Sequence, residues 1–103
     1  MALHTWTITS FPNPSALIPI VDSHVGVAVI LSLLISNYDD IDNANIEMLI
    51  TDNLNAITFK SVIMLPVGSS PFALDSRVVI KNSNKLQFRS DVVNVSVHVS
   101  VDQ

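Results

Sequence analysis

The sequence predicts an all-β protein, a single antiparallel β-sandwich of about seven to eight short strands. Three observations carry this prediction. Apolar and polar residues alternate with a period of two in several segments, most regularly in the stretch VVNVSVHVSV. Turn-forming residues recur roughly every eight to twelve residues, and no segment has convincing helical periodicity. A chain of 103 residues has room for one domain.

The N-terminal residues predict an edge strand that ends at prolines. Residues 3–9 (LHTWTIT) are dominated by β-forming side chains, and Pro12 and Pro14 prevent the chain from continuing into a central ladder. We therefore divide the chain into an N-terminal arm or edge strand, residues 1–15, and a β-sandwich domain, residues 16–103. Within the domain, residues 16–21 predict a short strand that is interrupted at Pro19.

The longest apolar segment, residues 24–37, predicts a strand that is apolar on both faces. We assign its odd-numbered residues, from Val25 to Ile35, to the sandwich core, and Ala28, Ile30 and Leu34 to the opposite face. A strand with two apolar faces is covered twice, by the core and by something outside it. We expect the N-terminal arm to reach a neighbouring subunit, the alternative being that it folds back as a lid. The predicted interface residues are Ala28, Ile30, Leu34, Trp6 and Phe11.

The second half of the chain predicts the remaining strands. They are residues 46–51, 57–65, 72–80 and 85–90, separated by turns rich in Asn, Asp, Ser and Pro. The last strand, residues 92–101, should place one row of side chains inside the core and the other row outside. The inner row is Val93, Val95, Val97, Val99 and Val101, and the outer row is Asn94, Ser96, His98 and Ser100.

Composition and charge exclude several classes of function. The net charge is −4 with only five basic residues, which argues against nucleic-acid binding. The chain has no cysteine, which excludes disulfides and thiolate metal sites and suits maturation in a reducing cytoplasm. The most apolar run, residues 25–35, is about half as long as a membrane span. Charged residues make up 14% of the chain, against roughly 25% in ordinary domains, so an apolar surface that serves as an interface is expected.

Residues that could carry out catalysis or bind metal do not form a recognisable set. No nucleophile or phosphate-binding motif occurs, and His4, His24 and His98 lack metal-ligand spacing. The Asp/Asn-rich segment 39–45 lacks the glycine and the terminal glutamate of a calcium loop, so we interpret it as a turn. We therefore predict a protein that is not an enzyme, with no catalytic residue, metal or cofactor. The competing hypothesis is a carbohydrate- or receptor-binding module with an aromatic platform, formed from Trp6, Tyr38, Phe11 and Phe72.

Two segments of the second half carry a resemblance to a known family. SSPFALDSRVVI and KLQFRSDVVNVSV resemble small β-sandwich virion proteins of tailed bacteriophages, especially phages of cyanobacteria and other aquatic bacteria. The matching pieces are the turn at residues 37–39, a loop with proline and serine, and Phe72, Leu74, Asp75 and Ser76, followed by residues 78–80 and the closing valine strand. The resemblance spans roughly residues 26–101, and its motifs are structural and loose.

The resemblance implies a structural role in a virion. Capsid decoration (cement) is the leading assignment, and a neck, tail, baseplate or fibre-base role is the next. The second apolar face of residues 25–35 predicts a homo-oligomer, for which the resemblance makes a trimer the leading guess. The resemblance also implies contacts with other virion proteins, such as the major capsid protein, after synthesis in the host cytoplasm. Two departures leave the virion part open: residues 82–84 (NSN) replace the frequent Gly-Asp turn, and residues 101–103 (VDQ) replace a glycine and glutamate tail.

Overall fold

The fold is known from a computed structural model that describes residues 3–13, 16–21, 26–74, 77–81 and 83–103. These residues form nine strands and no helix, and the strands make two antiparallel sheets that pack together. The predicted antiparallel β-sandwich is therefore confirmed. The strand count exceeds the prediction because the segment 72–80 forms two short strands instead of one. No helix in the described ranges has the length and apolarity needed to cross a membrane.

The strands follow one another along the chain as β1 Leu3–Ile8, β2 Ile18–Val21, β3 Ala28–Asn37, β4 Ala44–Thr51, β5 Ile57–Leu65, β6 Phe72–Ala73, β7 Val78–Ile80, β8 Lys85–Ser90 and β9 Val95–Asp102. The larger sheet has the order β1-β9-β3-β6, and β7 also pairs with β3. The smaller sheet has the order β2-β8-β4-β5. β3 and β9 therefore lie at the centre of the larger sheet, and β4 and β8 at the centre of the smaller one.

The core lies between the two sheets and follows the predicted alternation. In β4, Ile46 and Met48 point inward as predicted, and in β8 Leu86 and Phe88 do the same. Alternate side chains of each strand therefore fill the space between the sheets, as the period of two requires. The largest fully buried side chains include Phe11, Phe88, Ile30, Leu33, Ile35, Ile46, Met48 and Ile80.

A β-bulge in β3 reverses part of the predicted face assignment. The register with β9 shifts between Ile30 and Ser32, so Leu31 is one residue too many. Before the bulge the even-numbered residues point inward, and Ala28 and Ile30 are fully buried. After the bulge Leu33 and Ile35 point inward, as predicted. The assignment of Val27, Val29 and Leu31 to the core is therefore wrong, and Val25, assigned to the same face, lies outside the described residues.

The last strand begins later than predicted, at Val95 instead of residue 92. Val95, Val97, Val99 and Val101 are buried, which confirms the inner row over this part of the chain. Val93 is 43% exposed, and Val92 is buried in its place. The reason is local: the N–H of Val95 donates to the carbonyl of Val93 at 2.9 Å, which folds the chain tightly just before the strand.

The N-terminal segment packs on its own chain. β1 pairs along its whole length with β9 and forms an edge of the larger sheet, in agreement with an edge strand. Beyond it, the N–H of Phe11 donates to the carbonyl of Val93 at 2.9 Å, and the Phe11 side chain is fully buried. The structure places Ile8 and Phe11 of this segment in the core of their own chain, and contact of the segment with a neighbouring subunit stays a prediction.

Candidate functional site

The outer face of the larger sheet carries a row of exposed apolar side chains, which we call the apolar strip. Val27 is 50% exposed, Leu31 41%, Leu34 42% and Val79 56%. The half-buried Val29 is the register partner of Val79 and completes the strip. Side chains of this size in water are individually ordinary, but an aligned group of them on one sheet face is typical of a contact surface.

Apart from Leu3 and Ala73, the rest of this outer face is polar and almost without charge. Thr5 and Thr7 of β1 and the row Ser96, His98 and Ser100 of β9 lie on it, as predicted for the β9 residues. Among the described residues at outward register positions of this sheet, Asp102 alone has a formal charge. A surface with so few charges beside the apolar strip can be covered by another protein with little cost of desolvating charges.

The predicted interface residues are separated by the structure. Ala28, Ile30 and Phe11 are fully buried in the core of their own chain, so the prediction that they face outward is wrong. The bulge in β3 places Ala28 and Ile30 between the two sheets. Phe11, which follows β1 in the chain, packs into the same core. Leu34 is exposed on the apolar strip, as predicted. Trp6 is partly buried against the core and stacks on His4, with ring centroids 5.7 Å apart.

The outer face of the smaller sheet carries a charged cluster centred on Glu47. Its carboxylate accepts hydrogen bonds from Nε (2.7 Å) and Nη2 of Arg89, and Nζ of Lys60 lies 3.5 Å from its other oxygen. The hydrogen bonds from Arg89 hold the pKa of Glu47 below its usual value, and the charges of Arg89 and Lys60 act in the same direction. Two cations share one carboxylate, so the cluster has excess positive charge on an otherwise acidic protein.

Next to this cluster the same face has a depression of about 300 Å³, which we call the basic depression. Leu49 is only 2% exposed although it points away from the core, because neighbouring side chains surround it. Leu17 and Ile57 add apolar surface, and polar groups converge on the rim. The lining residues are Leu17, Leu49, Ile57, Thr51, Asn55, Lys60, Gln87 and Arg89. The combination of a small apolar pocket with a few cationic and amide groups is typical of a binding site.

The Asp/Asn-rich segment 39–42 joins the two sheets and forms a hydrogen-bonded turn. Oδ2 of Asp39 accepts the backbone N–H groups of Ile41 (3.0 Å) and Asp42 (2.7 Å), and its Oδ1 accepts Nδ2 of Asn94 at 2.9 Å. These bonds, first the one from Asp42, lower the pKa of Asp39. The carboxylate is thus occupied by its own turn, as the interpretation of this segment as an Asp/Asn turn requires.

One buried amide supports this turn from the larger sheet. Asn37 is 7% exposed, and its Nδ2 donates to the carbonyls of Asp42 (3.0 Å) and Leu65 (2.9 Å), while its Oδ1 accepts the N–H of Asp39 at 3.0 Å. The side chain therefore links β3 to β5 of the opposite sheet. The sequence places Asn37 in the turn but gives no reason to expect its burial, because burial depends on which strand ends meet in space.

The aromatic residues of the carbohydrate-binding hypothesis do not share one exposed surface. Phe11 is fully buried and Phe72 packs partly against the core. Tyr38 is 49% exposed, and its hydroxyl donates to the carbonyl of Thr9 at 2.6 Å. Of the four predicted residues, Tyr38 is therefore exposed, Trp6 and Phe72 are each partly buried against the core, and Phe11 offers no ring surface to a sugar.

Among the described residues, no group of three or more histidine, aspartate or glutamate side chains is arranged to hold a metal ion. The basic depression is not predicted by the sequence, in which its one signal is Leu49 at an outward position of β4. Comparison with known proteins adds no family to this description, since neither a protein-family model nor a curated protein sequence matches the chain.

Proposed function

We propose that this chain is a non-enzymatic structural protein of a bacteriophage virion. Capsid decoration (cement) is the leading assignment, and a neck or tail accessory role is the next. The observation that supports an assembly role is the apolar strip on the larger sheet, a face with few charges whose aligned side chains would be covered in an assembly. The virion assignment itself rests on the sequence resemblance to small phage β-sandwich proteins.

In this proposal the apolar strip contacts another virion subunit, either a second copy of the chain or a protein such as the major capsid protein. Burying Leu31 and Leu34 in such a contact would contribute about 1.5–3 kcal/mol for each side chain that becomes fully covered. The few charges on this face mean that the contact does not have to strip water from ions. A trimer remains the proposed oligomeric state.

The proposal is tested by copy number in purified particles. We expect the chain to be present stoichiometrically, to be retained when it carries Trp6→Ala, and to be lost from particles when it carries Leu34→Lys. Circular dichroism of the isolated variants controls for loss of the fold. Absence of the wild-type chain from particles, or normal incorporation of the Leu34→Lys variant, would refute the corresponding part of the proposal.

The second candidate is a carbohydrate- or receptor-binding module. It is favoured by the exposed ring of Tyr38, which its hydroxyl contact with Thr9 holds in place. Glycan binding by the isolated chain that disappears with Tyr38→Ala or Trp6→Ala would support this candidate. Retention of stoichiometric particle incorporation by both variants, without glycan binding, would support the structural role instead.

A further inference from the structure

We infer that copies of this chain associate head to tail, with the turn 39–42 of one copy seated in the basic depression of the next. The inference deepens the proposed assembly role and rests on it for its biological setting. Its basis is chemical complementarity between two surfaces at opposite ends of the molecule. One surface is acidic with an apolar tip, and the other is cationic with an apolar floor.

The donor surface is a rigid turn that presents one large apolar side chain between carboxylates. Ile41 is 83% exposed, and the flanking Asp40 and Asp42 side chains are also exposed. The hydrogen bonds accepted by Asp39 fix the backbone of this turn, so little conformational freedom is lost when it docks. An exposed isoleucine at the tip of an ordered, acidic turn is suited to insertion into an apolar pocket with a cationic rim.

The acceptor surface has the matching properties. Leu17, Leu49 and Ile57 supply an apolar pocket large enough for one branched side chain. Lys60 and Arg89 stand at its rim and share the single carboxylate of Glu47, which leaves positive charge for an incoming aspartate. Charges of opposite sign across a contact favour association and fix its orientation.

The two surfaces cannot meet within one chain. The turn 39–42 immediately precedes the start of β4 at Ala44, whereas the depression surrounds the far end of β4, at Leu49 and Thr51. Eight residues of extended strand span roughly 25 Å. The complementarity can therefore be satisfied only between copies, and a contact of this kind forms a ring if its rotation closes and a filament if it does not.

The test uses sedimentation equilibrium of purified chains that each lack one surface. Ile41→Asn removes the apolar tip, and Ile57→Asn removes part of the pocket; both positions are exposed, so the fold should tolerate them. Each variant alone should associate about 10- to 100-fold more weakly than the wild type, as expected for loss of one buried isoleucine. Leu3→Asn, at a residue 67% exposed outside both surfaces, is the matched control and should behave as the wild type.

Mixing the two variants supplies the decisive result. For the mixture both variants also carry Leu34→Lys, so that the apolar strip does not join copies as well. Each retains the surface that the other lacks, so an equimolar mixture should form a dimer of two 11.2 kDa chains and stop there, whereas the Leu34→Lys chain with both surfaces intact continues to larger species. Higher salt should weaken the wild-type association, because the contact pairs carboxylates with cations. A monomeric wild type at high concentration, wild-type association by both single variants, or a mixture without dimer would overturn the inference.

The same experiment separates this inference from the proposed function. If both single variants associate like the wild type and Leu34→Lys does not, the apolar strip alone holds copies together. The head-to-tail contact is then wrong, while the assembly role stands. If the variants form the mixed dimer but the wild-type chain is absent from purified particles, the contact stands and the virion role is wrong.

Discussion

Because of the bulge in β3, the neighbouring residues Ile30 and Leu31 should contribute very differently to the free energy of unfolding. Ile30 is fully buried, whereas Leu31, the next residue, is 41% exposed. Ile30→Ala removes three carbons from the core, worth about 2.4 kcal/mol in transfer free energy at about 0.8 kcal/mol each. With the cavity left between the sheets, we expect the free energy of unfolding to fall by about 3–4 kcal/mol.

Leu31→Ala is the matched variant, because it removes the same number of carbons one position along the chain. Much of this side chain already lies in water, so we expect a loss of about 1 kcal/mol. Urea unfolding followed by circular dichroism, at a protein concentration where the chain is monomeric, measures both values. With a slope of about 1.5 kcal/mol per molar urea, Ile30→Ala should lower the midpoint by roughly 2 M and Leu31→Ala by less than 1 M. A larger loss for Leu31→Ala would refute the bulge and restore the simple odd-numbered inner face.

Three further predictions concern the strip, the buried amide and the charged cluster. Leu34→Lys should abolish self-association through the apolar strip, measured by sedimentation velocity, while the variant keeps the β-type circular dichroism spectrum. Unchanged sedimentation would contradict a role for the strip in self-association. Asn37→Ala should lower the free energy of unfolding by about 2–3 kcal/mol in urea titration, because the carbonyl of Leu65 and other buried groups lose their hydrogen-bond partner. A loss below about 0.5 kcal/mol would contradict this prediction and show that water replaces the amide. Glu47 has a folded-state pKa below its unfolded value, so its pairing with Arg89 stabilises the fold above the ordinary glutamate range and this stabilisation is lost as the pH falls through the lowered pKa. Thermal unfolding of Glu47→Gln should therefore vary less with pH in the acidic range than that of the wild type, and identical profiles would contradict the assignment.

The period of two was sufficient to predict most of the fold. It fixed β5 and β8 at their observed bounds and gave the inner residues of β4 and most of β9, because alternation reports directly which side chains face the core. It failed where the backbone departs from regular pairing. The bulge at Leu31 changes which parity faces inward, and nothing in a run of Val, Ile and Leu marks the position of an extra residue.

The candidate surfaces were less predictable than the fold, since they depend on which strands become neighbours. Leu34 could be found from its own strand, and it lies on the apolar strip. Val79 joins the strip only because β7 pairs with β3, and the basic depression combines residues of three strands, β4, β5 and β8, with Leu17 and Asn55 from outside the strands. Lys60 and Arg89 looked scattered along the chain, but Glu47 gathers them on one face of the smaller sheet.

The proposed structural role is tested most directly by a reconstruction of purified phage particles that carry this chain. We predict β-sandwich density at a regularly repeated position on the particle, in stoichiometric amount, with the outer face of the larger sheet around Leu34 covered by a neighbouring subunit. Particles that lack such density, or that hold the sandwich with its apolar strip turned to solvent, would contradict the proposal.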